Sequence, residues 1–315
     1  MPSRPRILVL GSANMDMVMR CDRVPMAGQS VLAANYDYTY VPGGKGANSA
    51  VAAARLDCDV LFCGRVGPDA NGEQLRRTLG SCGVDTRFLG TDRNSQTGLA
   101  AIMVERSGQN RIIVYPGANR KISRGDVEDA FLAYPDALLM QFETSDEAVL
   151  DACYRAERQN IPVVIDAGPS RPDFPFRKLG RVEIFSPNET ECYDITNVKP
   201  TDMDACLKAC LALQTRVDAK FYILKLGDRG SFAYDGKFCE YFPSYDVPEV
   251  VDTTAAGDAF TAALTAEYLR SGSIKRACRF ANAVGALTVT KAGAIPSLPK
   301  LSEVEAFVDE NSIKL

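Results

Sequence analysis

The sequence predicts an α/β fold: a mainly parallel central sheet with helices on both faces, and a small β-sheet lid beside it. Three observations predict it. Short, fully apolar runs alternate with longer amphipathic stretches along most of the chain, as buried parallel strands and their covering helices do. Two early segments break that alternation and read as strands without intervening helices. The 315 residues, 46% hydrophobic and 24% charged, suffice for a large core without disulfides or metals.

In chain order, residues 7–10, 60–63, 137–140, 162–165, 182–185 and 221–224 are the apolar runs assigned to core strands. Helical periodicity falls near 46–56, 70–82, 145–159, 201–216, 257–271 and 274–290. The exceptions are 15–21 with 36–41, and 98–104 with 111–115, the latter joined by the turn Ser107-Gly108-Gln109-Asn110. Both read as antiparallel pairs, inserted between core elements and placed to cover a site at the strand ends. The expected division is a core of 1–13, 42–96 and 119–315 and a lid of 14–41 and 97–118. The apolar surface of the lid strands exceeds what a small open sheet leaves in water, so a homodimer through the lid is expected.

Thirty-six basic against forty acidic residues, a net charge of −4, argue against a nucleic-acid or anionic-membrane surface. The chain has no histidine. Imidazole acid–base catalysis, Ser-His-Asp hydrolysis and His-metal sites are thereby excluded, so any general base is Asp, Glu, Lys, Tyr or Cys. The ten cysteines form no C-x-x-C pair and read as packed thiols of a reducing, cytoplasmic compartment, Cys206 and Cys210 included. The opening Met1-Pro2-Ser3-Arg4-Pro5-Arg6 leads into an apolar run of four residues, so no leader or membrane span is expected.

Two segments carry chemistry. Val41-Pro42-Gly43-Gly44-Lys45-Gly46-Ala47-Asn48 places three glycines and a lysine before a small-residue helix, which suits close backbone approach to a ligand. The Walker spacing is absent, and a tight strand–helix connection explains the glycines equally well. Asp252-Thr253-Thr254-Ala255-Ala256-Gly257-Asp258 ends a β-rich run and starts a helix, whose first-turn amides at Ala255, Ala256 and Gly257 form an anion hole beside Asp258. Asp258 is also a good helix cap.

These two segments, in this order and at this separation, resemble the two signatures of the phosphofructokinase-B family of carbohydrate kinases. The resemblance extends over essentially the whole chain. It implies ATP-dependent phosphorylation of D-ribose at the 5-hydroxyl, or of another acceptor such as 2-deoxyribose, a ketohexose, a 2-keto-3-deoxy sugar acid or a nucleoside. Asp258 is then the base, and Asn14, Asp16, Gly44, Lys45, Asn48 and Glu143 hold the sugar, Asp16 as an ionised acceptor. Asn188, Lys225, Gly227, Asp228, Gly230, Gly257 and Asn282 bind the nucleotide, and Glu191 supports Mg2+ through water. A monovalent cation, K+, is implied at Asp252, Thr254, Thr288, Lys291, Gly293 and Ser297. The sequence departs from the family pattern at Lys225, where Thr is usual, and at Ala259, Thr261 and Ala262, which replace a common Thr-x-x-Gly.

Overall fold

Period-two alternation with both faces buried explains why the core strands read as continuous apolar runs. In the first strand Ile7 and Val9 join the cluster on one face of the sheet, while Leu8 and Leu10 join the cluster on the other. A computed structural model describes residues 4–33, 35–107 and 109–315. Gly108 of the expected turn and the first three residues, Met1-Pro2-Ser3, lie outside the described residues.

The chain runs β1 (Arg6–Leu10), β2 (Asn14–Cys21), β3 (Tyr38–Gly43), α1 (Lys45–Arg55), β4 (Asp59–Val66), α2 (Ala70–Ser81), β5 (Val84–Asp85) and β6 (Leu89–Thr91). It continues through β7 (Gly98–Glu105), β8 (Asn110–Tyr115), α3 (Arg124–Phe131), β9 (Ala137–Met140), α4 (Asp146–Arg158), β10 (Val163–Asp166) and β11 (Val182–Ser186). The last part holds α5 (Glu189–Thr196), α6 (Met203–Gln214), β12 (Ala219–Lys225), β13 (Gly230–Tyr234), β14 (Cys239–Pro243), α7 (Ala256–Ser271), α8 (Ile274–Thr288) and α9 (Leu301–Glu310).

The main sheet has the order β14-β13-β12-β11-β10-β9-β1-β4-β5, with β6 beside β4. It is parallel from β5 to β12, and the β13–β14 hairpin continues it antiparallel. Residues of α1, α7 and α8 fill the core on one face and those of α3, α4 and α6 on the other. Side-chain caps start several helices: Asp69 for α2, Ser145 for α4, Asp202 for α6 and Ser273 for α8.

The lid is a separate sheet of order β3-β2-β7-β8. Its outer pairs, β2–β3 and β7–β8, are antiparallel as the sequence suggested. The sheet as a whole is mixed, because its central pair β2–β7 runs parallel, with Asn14 opposite Gly98. Both strands leave the core at the same end, and only that direction lets them pair side by side. Of the cysteines, Cys58, Cys63, Cys153, Cys192, Cys206, Cys210 and Cys278 are buried free thiols, Cys21 and Cys82 are half-buried and Cys239 is exposed.

Candidate active site

Helix α7 starts without a side-chain cap, from an Ala255 held in the left-handed region at φ 63°. A non-glycine residue there costs about 1 kcal/mol, so the surrounding structure over-determines the turn. Of the anion hole expected at Ala255, Ala256 and Gly257, the Ala256 N–H is turned back to Thr253 O at 3.3 Å, while the amides of Gly257 and, next to it, Asp258 meet no protein acceptor among the described residues. Those two N–H groups, at the positive end of a 16-residue helix, face the cleft.

Asp258 sits within this turn and is 5% exposed. Asn48 Nδ2, on α1, donates to its Oδ2 at 2.8 Å, and Lys45 Nζ lies 3.6 Å from its Oδ1. Burial raises the Asp258 carboxyl above the ordinary carboxylate range despite Lys45, and nearby Asp166 adds to the rise. Lys45 keeps its proton more firmly than a free lysine, chiefly because Asp258 faces it. A buried carboxylate with raised proton affinity beside free amides can take a proton from a hydroxyl while the amides receive negative charge.

The expected sugar-side residues gather on the lid side of Asp258. Gly43 and Gly44 close the approach: a Cβ on Gly43 would collide with the Asp16 carboxylate, and Gly44, at φ 95°, lies against the backbone of Asn14. Glu143 accepts from Ser12 Oγ and, at 3.4 Å, from Lys45 N–H. Asp16, expected as an ionised acceptor, titrates close to neutrality. Burial, with the charges of Glu143 and Asp258, pushes its carboxyl up to about 7.

On the other side of Asp258 opens a cleft of about 740 Å³, a size that suits a nucleotide. Asn188, Glu191, Lys225, Gly227, Asp228, Gly230, Gly257 and Asn282 all line it, as does Lys45, which thus stands between the two halves of the site. Asn188 and Glu191 form a reciprocal capping box on α5 at 2.8 Å in each direction. Burial raises the Glu191 carboxyl, so this is no solvated helix carboxylate. Asn282 Nδ2 is committed to the carbonyls of Phe242 and Pro243, at 2.9 and 3.0 Å, and braces the end of β14.

Sequence reasoning missed Asp166. It is 1% exposed at the end of β10 and pairs with Lys225 Nζ at 2.5 Å and Thr261 Oγ1 at 2.7 Å. Burial alone would raise its pKa, but Lys225 and Lys45 together hold it below the usual range. Thr261 Oγ1 is also 3.1 Å from Gly257 O, so the network supports the α7 turn from beneath. The usual Thr is absent at 225, and the lysine there supplies the charge that a buried Asp166 needs.

Of the residues expected around a monovalent cation, Asp252, Thr254 and Gly293 meet. Asp252 Oδ1 accepts from Thr254 N–H and its hydroxyl, at 2.9 and 2.7 Å, and its Oδ2 accepts from Gly293 N–H at 2.8 Å. The side chains of Thr288, Lys291 and Ser297 turn away, to Val284 O, Glu303 and Ala294 O. Among the described residues no three His, Cys, Asp or Glu side chains cluster as a metal site.

The model of the pfkB family of carbohydrate kinases matches residues 4–301. This chain belongs to that family. Among pfkB-family relatives, it is 33% identical over 308 residues to a ribokinase of Arabidopsis thaliana, covering 95% of this chain and 80% of the relative. A ribokinase of Haemophilus influenzae is likewise 33% identical over 308 residues, covering 97% of this chain and 99% of the relative. A solved structure of Arabidopsis thaliana ribokinase complexed with ribose and ATP superposes with a TM-score of 0.89 at 32% identity, over 97% of this chain and 99% of that one. The pfkB kinase fold therefore accounts for both the parallel sheet and the lid.

Proposed function

We propose that this pfkB-family kinase transfers the γ-phosphoryl group of ATP to the 5-hydroxyl of D-ribose. The observation that carries the reading is the placement of Asp258. One buried carboxylate joins the sugar-side pocket to the nucleotide cleft, paired with Asn48 and Lys45 and next to two unpaired helix amides. Full-length similarity to ribokinases supports ribose as the acceptor.

In this reading Asp258 accepts the hydroxyl proton as the sugar oxygen bonds to phosphorus and the bond to the ADP oxygen breaks. The amides of Gly257 and Asp258 receive the charge on the phosphoryl oxygens. Asn14, Asp16, Gly44, Asn48 and Glu143 hold the sugar so that attack is effectively intramolecular. Lys45, also on the sugar side, favours the anionic form of Asp258 against its burial, and Asn188, Lys225, Gly227, Asp228, Gly230 and Asn282 shape the nucleotide side. Mg2+ fits a nucleotide cleft lined by the carboxylates of Glu191, Asp228 and Asp258, and Glu191 is the residue proposed to hold it through water. Bound there, it would neutralise phosphate charge. K+ fits the oxygen-only donors offered by Asp252, Thr254, Thr288, Lys291, Gly293 and Ser297, and would stiffen the turn that leads into α7.

A homodimer through the lid, with lid boundaries at 14–41 and 97–118, and a cytoplasmic location belong to the same proposal. The exposed Tyr38, Tyr40, Ile112, Ile113, Val114 and Tyr115 support the dimer. No helix among the described residues is long and apolar enough to cross a membrane. A coupled ADP-release assay over a panel of sugars tests the reading. Ribose should give the highest kcat/KM, with 2-deoxyribose about tenfold or more below it. Equal efficiency on the two, or preference for a hexose, refutes ribose as the acceptor.

A further inference from the structure

Asn119 lies just beyond the lid, in the short 3-10 turn Gly117–Lys121, and is 1% exposed. Its carboxamide reaches back to the point where the chain first enters the lid. Asn119 Oδ1 accepts from Ala13 N–H at 2.9 Å, and its Nδ2 donates to Asn14 Oδ1 at 2.7 Å. The same Nδ2 is 3.4 Å from Ala13 O.

The polarity of this chain of bonds admits one solution. A backbone N–H is a donor that cannot be turned round, so the Asn119 atom facing Ala13 N–H is its oxygen. The other Asn119 atom is then the NH2 group, and the Asn14 atom facing it is oxygen. The remaining end of Asn14 is therefore its NH2 group, which has no protein acceptor among the described residues. Gly98, opposite Asn14 in the lid ladder, leaves the room for this stack: a Cβ there would collide with both Asn14 Oδ1 and Asn119 Nδ2.

We propose that Asn119 is a positioning residue for the sugar: it fixes Asn14 as a hydrogen-bond donor to the acceptor substrate and ties that choice to the root of the lid. The inference rests on the ribose reading and deepens it. Asn14 offers a donor where Asp16 and Glu143 offer carboxylates, so the pocket reads one substrate oxygen as an acceptor and its neighbours as donors. Without Asn119, Asn14 is free to present either end.

The test is a double-mutant cycle of wild type, Asn14→Ala, Asn119→Ala and the double variant, with D-ribose binding followed calorimetrically without nucleotide. Loss of one oriented neutral hydrogen bond predicts that Asn119→Ala weakens ribose about three- to tenfold. In the Asn14→Ala background the same change should cost less than about twofold, because the two act as a unit. The KM for ATP should stay within about twofold throughout, which a general loosening of the fold would not allow. Asn119→Asp supplies a second arm: it keeps the bond to Ala13 N–H but sets oxygen against Asn14 Oδ1, and ribose should weaken at least as much as with alanine. Should Asn119→Ala fail to fold, the cycle is run with the aspartate. Full additivity of the two substitutions, or wild-type ribose affinity in both Asn119 variants, overturns the proposal. If wild type itself does not bind ribose, the ribose reading fails separately, and the cycle is decided on the sugar that the panel identifies.

Discussion

Asp258→Asn separates chemistry from architecture. The substitution keeps the shape of the side chain, and the amide oxygen can still accept from Asn48, which now donates at 2.8 Å. It also leaves the helix start alone, since the cap position is Ala255 and no side chain caps the helix. What it removes is the carboxylate beside the free α7 amides that can take a hydroxyl proton. Loss of a positioned base costs about 10²–10⁴-fold, or about 3–5 kcal/mol on the barrier, and kcat should fall by that factor. Stability should move the other way or not at all. Burial raises the folded-state pKa of Asp258 above its unfolded value, so above the ordinary carboxylate pKa the native state holds more proton than the unfolded chain. Wild type therefore loses stability as pH rises through that window, and the neutral amide does not. The assay is kcat at saturating ribose and MgATP, with thermal melts of both proteins at pH 6 and 8. A variant that melts like wild type and keeps more than about a tenth of its kcat would refute the role of Asp258 as base.

Ribose affinity should fall with acidity through the pKa near 7 of Asp16, because the protonated form is no longer an ionised acceptor; calorimetry at pH 6 should give about tenfold weaker binding than at pH 8. Asp16→Asn should flatten that dependence, and equal affinities at the two pH values in wild type would count against an ionised Asp16 in the complex. Light scattering at micromolar concentration should report a dimer, and Ile113→Lys, placed on the exposed lid edge, should shift it to monomer; a wild-type monomer ends the lid-interface proposal. Replacing potassium by tetramethylammonium should lower kcat, and unchanged activity would show that the Asp252 and Gly293 junction holds no activating cation.

Much of the fold was legible because burial writes itself into local pattern. Each doubly covered strand from β1 to β12 is an apolar run, and the long helices α4 and α8 carry enough turns to show periodicity, while α7, buried without a break from Asp258 to Glu267, carries none. Helices α3 and α5, of eight residues each, do not, although the capping boxes Ser123 to Asp126 and Asn188 to Glu191 mark their starts. The β13–β14 hairpin lies at the sheet edge and was equally silent. The parallel pairing of β2 with β7 joins segments some eighty residues apart, and no local pattern encodes such a choice.

The site divides in the same way. Glycine-rich turns and the helix start at Asp258 are visible because their function depends on local backbone geometry. The partners that tune them are not: Asn48 meets Asp258 across 210 residues, Thr261 meets Asp166 across 95, and Asn119 meets Asn14 across 105. Lys225 looked like a departure from a pattern until its buried counter-ion came into view.

The distribution of thiols gives the molecule a chemical clock. Burial pushes the Cys63, Cys153 and Cys192 thiols up to about 12, so at neutral pH they are neither ionised nor within reach of a reagent. Cys239 lies in the open, within reach of a reagent. The buried thiols straddle the molecule: Cys58 and Cys278 belong to the core on one face of the sheet, Cys63, Cys153, Cys192, Cys206 and Cys210 to the core on the other. Their slow modification counts openings of each layer separately, so the order in which they react tells which half of the sandwich lets water in first.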